Sequence, residues 1–260
     1  MLRSKEEILE DVKALVWMRR NGLLGGEKMP EDARPDLPGG SKEIIHYLTL
    51  PMALNYQRNS YKLWEAATKT FNDPSTRSVF DPFENVKMPE ENLREMLLKH
   101  KVALQPQKHI QTWRTLSQTI VELFDGDIRN LFLQSRNSAR EILEFIQKTH
   151  KKRFPYLSGN KIANYWLYVI HSYTSLKLKD PEALSVAPDT HVIQASVQLG
   201  VCEGNPAEIK STDVAQRWKE ILMDSGLAPI DIHTPLWLWS RGGFAPIAKP
   251  KIAHDYQTAP

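Results

Sequence analysis

A chain of 260 residues with 41% apolar content can form one large domain or two lobes around a sizeable core. Its net charge is only +3 and it has a single cysteine, Cys202, which excludes an internal disulfide framework and any four-cysteine zinc or iron–sulfur site held by this chain alone. The longest apolar run, YWLYVI at 165–170, is too short to span a bilayer, and the acidic opening MLRSKEEILEDVKALVW lacks the basic-then-apolar order of a secretory signal.

Apolar residues recur at helical spacing along most of the chain. Ile8, Val12 and Leu15 predict a first helix, and the Gly/Pro-rich stretch NGLLGGEKMPEDARPDLPGG (21–40) a long loop after it. Trp64, Ala67 and Phe71 predict another helix, followed by a second loop, NDPSTRSVFDPFENVKMP (72–89). Pro89 with Glu90 and Glu91 suits a helix start, Pro at the first position and acids in the first turn, before Leu93, Met96 and Leu97. Further helices are marked by Trp113, Leu116, Ile120 and Phe124; by Ile142, Phe145 and Ile146; by Ile162, Trp166, Val169, Ile170 and Tyr173; and by Val192, Ala195 and Leu199. GNPAEIKST (204–212) is a third loop, Val214, Trp218, Ile221 and Leu222 mark one more helix, and the tail 241–260 is irregular. No sustained two-residue alternation appears, so the expected fold is all-α, with roughly ten helices.

Charge is uneven. Between Glu144 and Asp180 no acidic residue occurs, while Lys148, Lys151, Lys152, Arg153, Lys161, Lys177 and Lys179 all fall there. Such a cluster is either a solvated basic face or a phosphate-binding surface. Within it, LEFIQKTHKKRFPYLSGNKIANYWLYVIHSY reads as helix, tight turn at LSGN, helix, with Gly159 expected in the left-handed backbone that a short turn needs. Amides of the turn and of the next helix start can hold a phosphate. Lys161 then stands where the helix dipole disfavours a cation by about 0.3–1 kcal/mol. Downstream, SVAPDTHVIQASVQLGV puts Asp189 at the N-cap of a further helix.

These two pieces, LSGNKIANYW and PDTHVIQASVQLG, resemble the helix-hairpin-helix DNA glycosylases, which carry a hairpin of the L-P-G-x-G-x-K-x-A type before a V-D-T-H or V-D-x-H element. KHIQTWRTLSQTIVELFDGDIRNLF (108–132) is similar to the helix preceding that hairpin. The resemblance covers residues 100–202 well, as a helix-hairpin-helix lobe, and the flanks weakly. It implies a two-lobed helical bundle occupying the whole chain. By resemblance Lys161 matches the family's nucleophilic lysine and Asp189 its aspartate. The hairpin is two positions shorter before Lys161, and Asp189 follows Lys161 by 28 positions, more than in endonuclease III. Both features bring the chain nearest to the archaeal 8-oxoguanine DNA glycosylase branch. LNYQ (54–57) is similar to that branch's S-Y-Q element and HTPLW (233–237) to its D-S-x-L-W element. The resemblance implies that Gln57 reads the base edge, Tyr165 stacks on the flipped base and Trp237 closes the pocket. His233 stands where the branch has its base-reading aspartate.

The implied activity is removal of a damaged base, such as an oxidised purine, with β-lyase cleavage through a lysine Schiff base. Lys151, Lys152 and Arg153, with Ser158, Gly159 and Asn160 of the turn, would hold the DNA backbone. Lysine attacks only as the neutral amine, a form favoured by the helix dipole, by neighbouring cations and by burial against Tyr165 and Trp166. Asp189 would orient the lysine and offset positive charge growing on the sugar. His191 is expected as a packed or surface residue, and no cofactor or metal is implied. The expected partner is double-stranded DNA with a damaged base, met by a monomer in the cytoplasm at the nucleoid, with no membrane. Two other readings stay open: an N-glycosidase of a free modified nucleoside or nucleotide, and a non-catalytic helix-hairpin-helix DNA-binding protein.

Overall fold

The computed structural model describes residues 3–25 and 28–249. Its twelve α-helices among those residues are α1 (Lys5–Arg20), α2 (Lys42–Thr49), α3 (Ser60–Asn72), α4 (Pro82–Lys87), α5 (Glu90–Lys99), α6 (Lys108–Phe124), α7 (Arg129–Gln134), α8 (Ala139–Glu144), α9 (Asn160–Tyr173), α10 (Thr190–Gln198), α11 (Ser211–Leu222) and α12 (Pro229–Arg241). The all-α expectation holds. The chain divides into two units, one of residues 1–27 with 181–260 and one of 28–180. Among the described residues no helix is long and apolar enough to cross a membrane.

In the unit 28–180 the core is aromatic. Trp64, Trp113, Trp166, Tyr47, Phe124, Phe132 and Phe154 are essentially fully buried. Tyr47 meets Trp64, Phe71 and Phe80 at ring-centroid separations of 5.7, 5.6 and 5.5 Å. Indole N–H groups need acceptors when they are buried, and here Trp113 donates to the Val79 carbonyl at 2.8 Å and Trp166 to the Thr49 hydroxyl at 3.0 Å. The second bond ties α9 to the end of α2.

Two stretches expected as loops carry structure. In 72–89, Arg77–Phe80 forms a one-turn 3-10 helix and Pro82 opens α4. The reason is local: the Asp81 carboxylate accepts from the Phe83 and Glu84 amides, and proline at the first helical position has no N–H to leave unpaired. In 21–40, Pro30–Asp32 forms another 3-10 turn, and Met29, Pro30 and Glu31 are buried. Hydroxyls of Tyr47 and Thr68 hold that segment through the Ala33 carbonyl, both at 2.8 Å, and Tyr61 holds it through the Lys28 carbonyl at 2.9 Å.

The other unit packs α12 on α10 and on α1. Residues 232–240 of α12 are all buried despite Pro235 inside the helix. Trp218 of α11 donates its indole N–H to Ser196 of α10 at 2.8 Å, both side chains being fully buried. Residues 242–249 of the expected irregular tail carry no helix, and 250–260 lie outside the described residues.

Truncating the indole that joins α9 to α2 leaves a large void in a close-packed core. Trp166→Ala is expected to lower unfolding free energy by about 3–5 kcal/mol, read as a fall in urea midpoint. Thr49→Val, which removes only the acceptor, should cost about 1–3 kcal/mol.

Candidate functional site

The hairpin turn lies wholly in the unit 28–180. The basic segment Lys151–Arg153 is a 3-10 turn, and α9 begins after Gly159, which takes the N-cap position with φ −62° and ψ 138°. Gly159 is therefore not left-handed. The left-handed residue of the turn is Tyr156, at φ 59°. Glycine is nonetheless useful at 159, because a Cβ there would sit 3.2 Å from the Tyr156 carbonyl oxygen, which accepts the Gly159 amide at 3.0 Å. The turn is closed by this close approach rather than by the glycine's own dihedral freedom.

That closure decides which amides a phosphate could meet. The Ser158 and Gly159 N–H groups are used inside the turn, donating to the Phe154 and Tyr156 carbonyls at 2.9 and 3.0 Å. The Ser158 side chain is 8% exposed, with its hydroxyl 3.4 Å from the Lys151 carbonyl. Helix α9 has no side-chain cap. Its first-turn amides at Asn160, Lys161 and Ile162 have no intrahelical acceptor and form the donor set this end can offer an anion.

Lys161 is the second residue of α9 and its side chain is exposed, so the burial against Tyr165 and Trp166 expected from the sequence is not what surrounds it. Trp166 faces the core. Lys151 and Lys152 are also exposed, whereas Arg153 is half-buried and paired with Glu122, and Lys148 pairs with Glu144 at 2.6 Å. Gln57 is exposed, in a loop where it takes φ 49°. Two contacts fix that loop. Arg58 donates to the Val102 and Lys101 carbonyls at 2.6 and 3.2 Å, and the Tyr56 ring lies 5.5 Å from that of Tyr156 in the hairpin turn. Lys108 sits 5.9 Å over the same Tyr156 ring. The Gln57 loop and the hairpin thus share one surface.

Tyr165, one turn after Lys161, is half-buried, and its hydroxyl donates to Glu31 Oε2 at 2.8 Å. Glu31 is 0% exposed and its Oε1 has no hydrogen-bond partner. Burial pushes its carboxyl up to about 7, against the opposing Tyr165 bond. Sequence reasoning missed this residue. MPEDARP reads as loop, and nothing in it signals that the carboxylate turns inward.

In the other unit, Asp189 is the N-cap of α10, as its sequence context suggested. One carboxylate oxygen accepts the Val192 amide at 3.0 Å and the other the Trp237 indole N–H at 3.1 Å. Asp189 and Trp237 are therefore brought together, and the carboxylate keeps further lone pairs. His191 packs edge-on against Trp237 at 5.3 Å, with Nδ1 3.3 Å from the Ser240 hydroxyl, which donates to Gln194 Oε1 at 3.0 Å. Arg241 lies 5.2 Å over the Trp237 ring, and His233, 6% exposed, lies one helical turn before Trp237. Among the described residues no group of three or more His, Cys, Asp or Glu side chains could hold a metal.

The buried carboxyl yields a test of stability against pH. Glu31 has a folded value of about 7 against an ordinary 4.5, so the folded chain keeps a proton that the unfolded chain loses, and stability falls as pH rises through that window. Glu31→Gln, neutral throughout, is expected to gain on the wild type between pH 5 and pH 8 by about 1–3 kcal/mol. Urea midpoints at the two pH values check this, and the difference cancels any constant packing cost of the amide.

No family model and no curated protein matches the sequence. Among solved structures, the fold is similar to that of the Methanocaldococcus jannaschii 8-oxoguanine glycosylase/lyase in complex with a 15mer DNA containing 8-oxoguanine. The TM-score is 0.50 at 14% identity, over 81% of this chain and 85% of that one. At that identity the likeness is one of fold alone, and both folds are all-helical.

Proposed function

We propose that the chain is a base-excision DNA glycosylase with β-lyase activity, acting on duplex DNA that contains a damaged base. The observation that carries this reading is an exposed lysine, Lys161, at the second position of the uncapped helix α9, just after a hairpin turn, in a chain with a glycosylase fold. The similar solved structure is itself a glycosylase/lyase with DNA bound, which supports the same partner here. Exposed Lys151 and Lys152 favour a polyanion over a free nucleoside.

In this reading, first-turn amides of α9 and the 151–153 cations hold backbone phosphates while the damaged nucleotide is extruded, at a cost of a few kcal/mol. The neutral Lys161 amine attacks C1′. The N-glycosidic bond breaks, its electron pair leaves with the base, and the base takes up a proton. Ring opening gives a Schiff base between the lysine and the sugar, and loss of a proton from C2′ expels the 3′ phosphate by β-elimination. The Asp189 carboxylate, at the N-cap of α10, offsets the positive charge that develops on the sugar. Gln57, Tyr165, His233 and Trp237 are the proposed base-contacting residues. An oxidised purine is the proposed lesion, with His233 in place of an aspartate as the expected source of any departure from 8-oxoguanine.

Borohydride trapping on a panel of lesion duplexes, with an abasic-site duplex included, is expected to yield a covalent adduct. Lys161→Gln should abolish the adduct while leaving duplex affinity within about threefold, because it removes one contact among many. Asp189→Asn should slow base release by about 10²–10³-fold. Lys151→Ala combined with Lys152→Ala should weaken binding to all duplexes and reduce the salt slope by about 2. Absence of any adduct on every duplex removes the Schiff-base reading.

A further inference from the structure

A fully buried carboxylate with one unpartnered oxygen is costly. Glu31 is held in that state by a segment anchored on three sides, through Tyr47, Tyr61 and Thr68. Its other oxygen takes the hydroxyl of Tyr165 at 2.8 Å. Lys161 and Tyr165 are four residues apart on α9, so their side chains leave the same face of the helix. Tyr168 stacks on Tyr165 at 5.8 Å with planes 25° apart, and Arg34 covers the Tyr173 ring at 4.6 Å. A purely structural contact would be served as well by a neutral pair, and costly buried ionisable groups concentrate where function needs them.

We propose that Glu31 is a positioning residue: its carboxyl fixes the Tyr165 hydroxyl, and with it the ring that packs against the extruded base one helical turn from Lys161. This rests on the glycosylase reading. Glu31 touches neither the base nor the sugar in this arrangement; it acts through Tyr165. Because the Glu31 carboxyl titrates near neutrality, lesion recognition should vary with pH. The titratable and charged groups that act on it are Asp32 and Arg34 of its own segment and Tyr165 and Tyr173 of α9, with Tyr168 acting on both tyrosines in turn.

The readout is the ratio of affinities for a lesion duplex and its undamaged counterpart, which does not depend on the fraction of protein that is active. Wild type, Glu31→Gln, Tyr165→Phe and the double variant are compared from pH 6 to pH 8, with borohydride trapping run alongside. Each single variant is expected to lower the ratio about tenfold at pH 7.5, the double variant to lower it no further, and the wild-type pH dependence to flatten in Glu31→Gln. If Glu31→Gln does not fold, the loss in Tyr165→Phe carries the test. Trapping by the wild type with ratios unchanged in the variants overturns the role of Glu31 alone. Failure of the wild type to trap any lesion removes the Schiff-base reading on which this inference rests.

Discussion

Helix α9 is anchored along most of its length. Ile162, Ala163, Asn164 and residues 166–170 are buried, and the Trp166 indole is bonded to Thr49 at 3.0 Å. Three consecutive residues before them, Gly159, Asn160 and Lys161, are exposed. A close-packed core does not let such a helix slide or rotate, so the packing of its apolar face dictates where the one exposed cation and the uncapped amides stand. Lys161 is thus placed by residues that never meet a substrate. Its unfavourable position against the helix dipole costs a few tenths of a kcal/mol, small beside the burial that orients α9.

Asp189 solves a similar problem by different means. An N-cap aspartate needs one oxygen for the helix amide, and here the other is taken by an indole from α12. The carboxylate is held at two points, each by an N–H donor. Trp237 in turn is hemmed by His191 and Arg241. A single side chain can therefore start a helix and fix a buried indole at once.

Much of this was readable from residue order. Helical periodicity gave the class, the acid-free stretch between Glu144 and Asp180 with its seven cations marked the basic turn, and Asp189 announced itself by cap chemistry. Elsewhere local rules were misapplied or silent. The 72–89 stretch looked like a loop because of its prolines, although Asp81 followed by Pro82 is itself a helix start. Gly159 drew the left-handed assignment that belongs to Tyr156, because glycine's tolerance of close backbone approach and its tolerance of positive φ leave the same mark in a sequence. Glu31 was invisible for a deeper reason. Its burial depends on Tyr165, 134 positions away, and no local pattern encodes a partner at that distance.

One lysine, set by the burial of α9, is the residue proposed to bond to the sugar. Proteolysis of a borohydride-reduced adduct, followed by mass spectrometry of the cross-linked peptide, reads this directly. The modified residue should be Lys161, within the segment that follows the LSGN turn. A modification found instead at Lys151, Lys152 or the chain's amino terminus would show that the amine at the start of α9 is not the nucleophile.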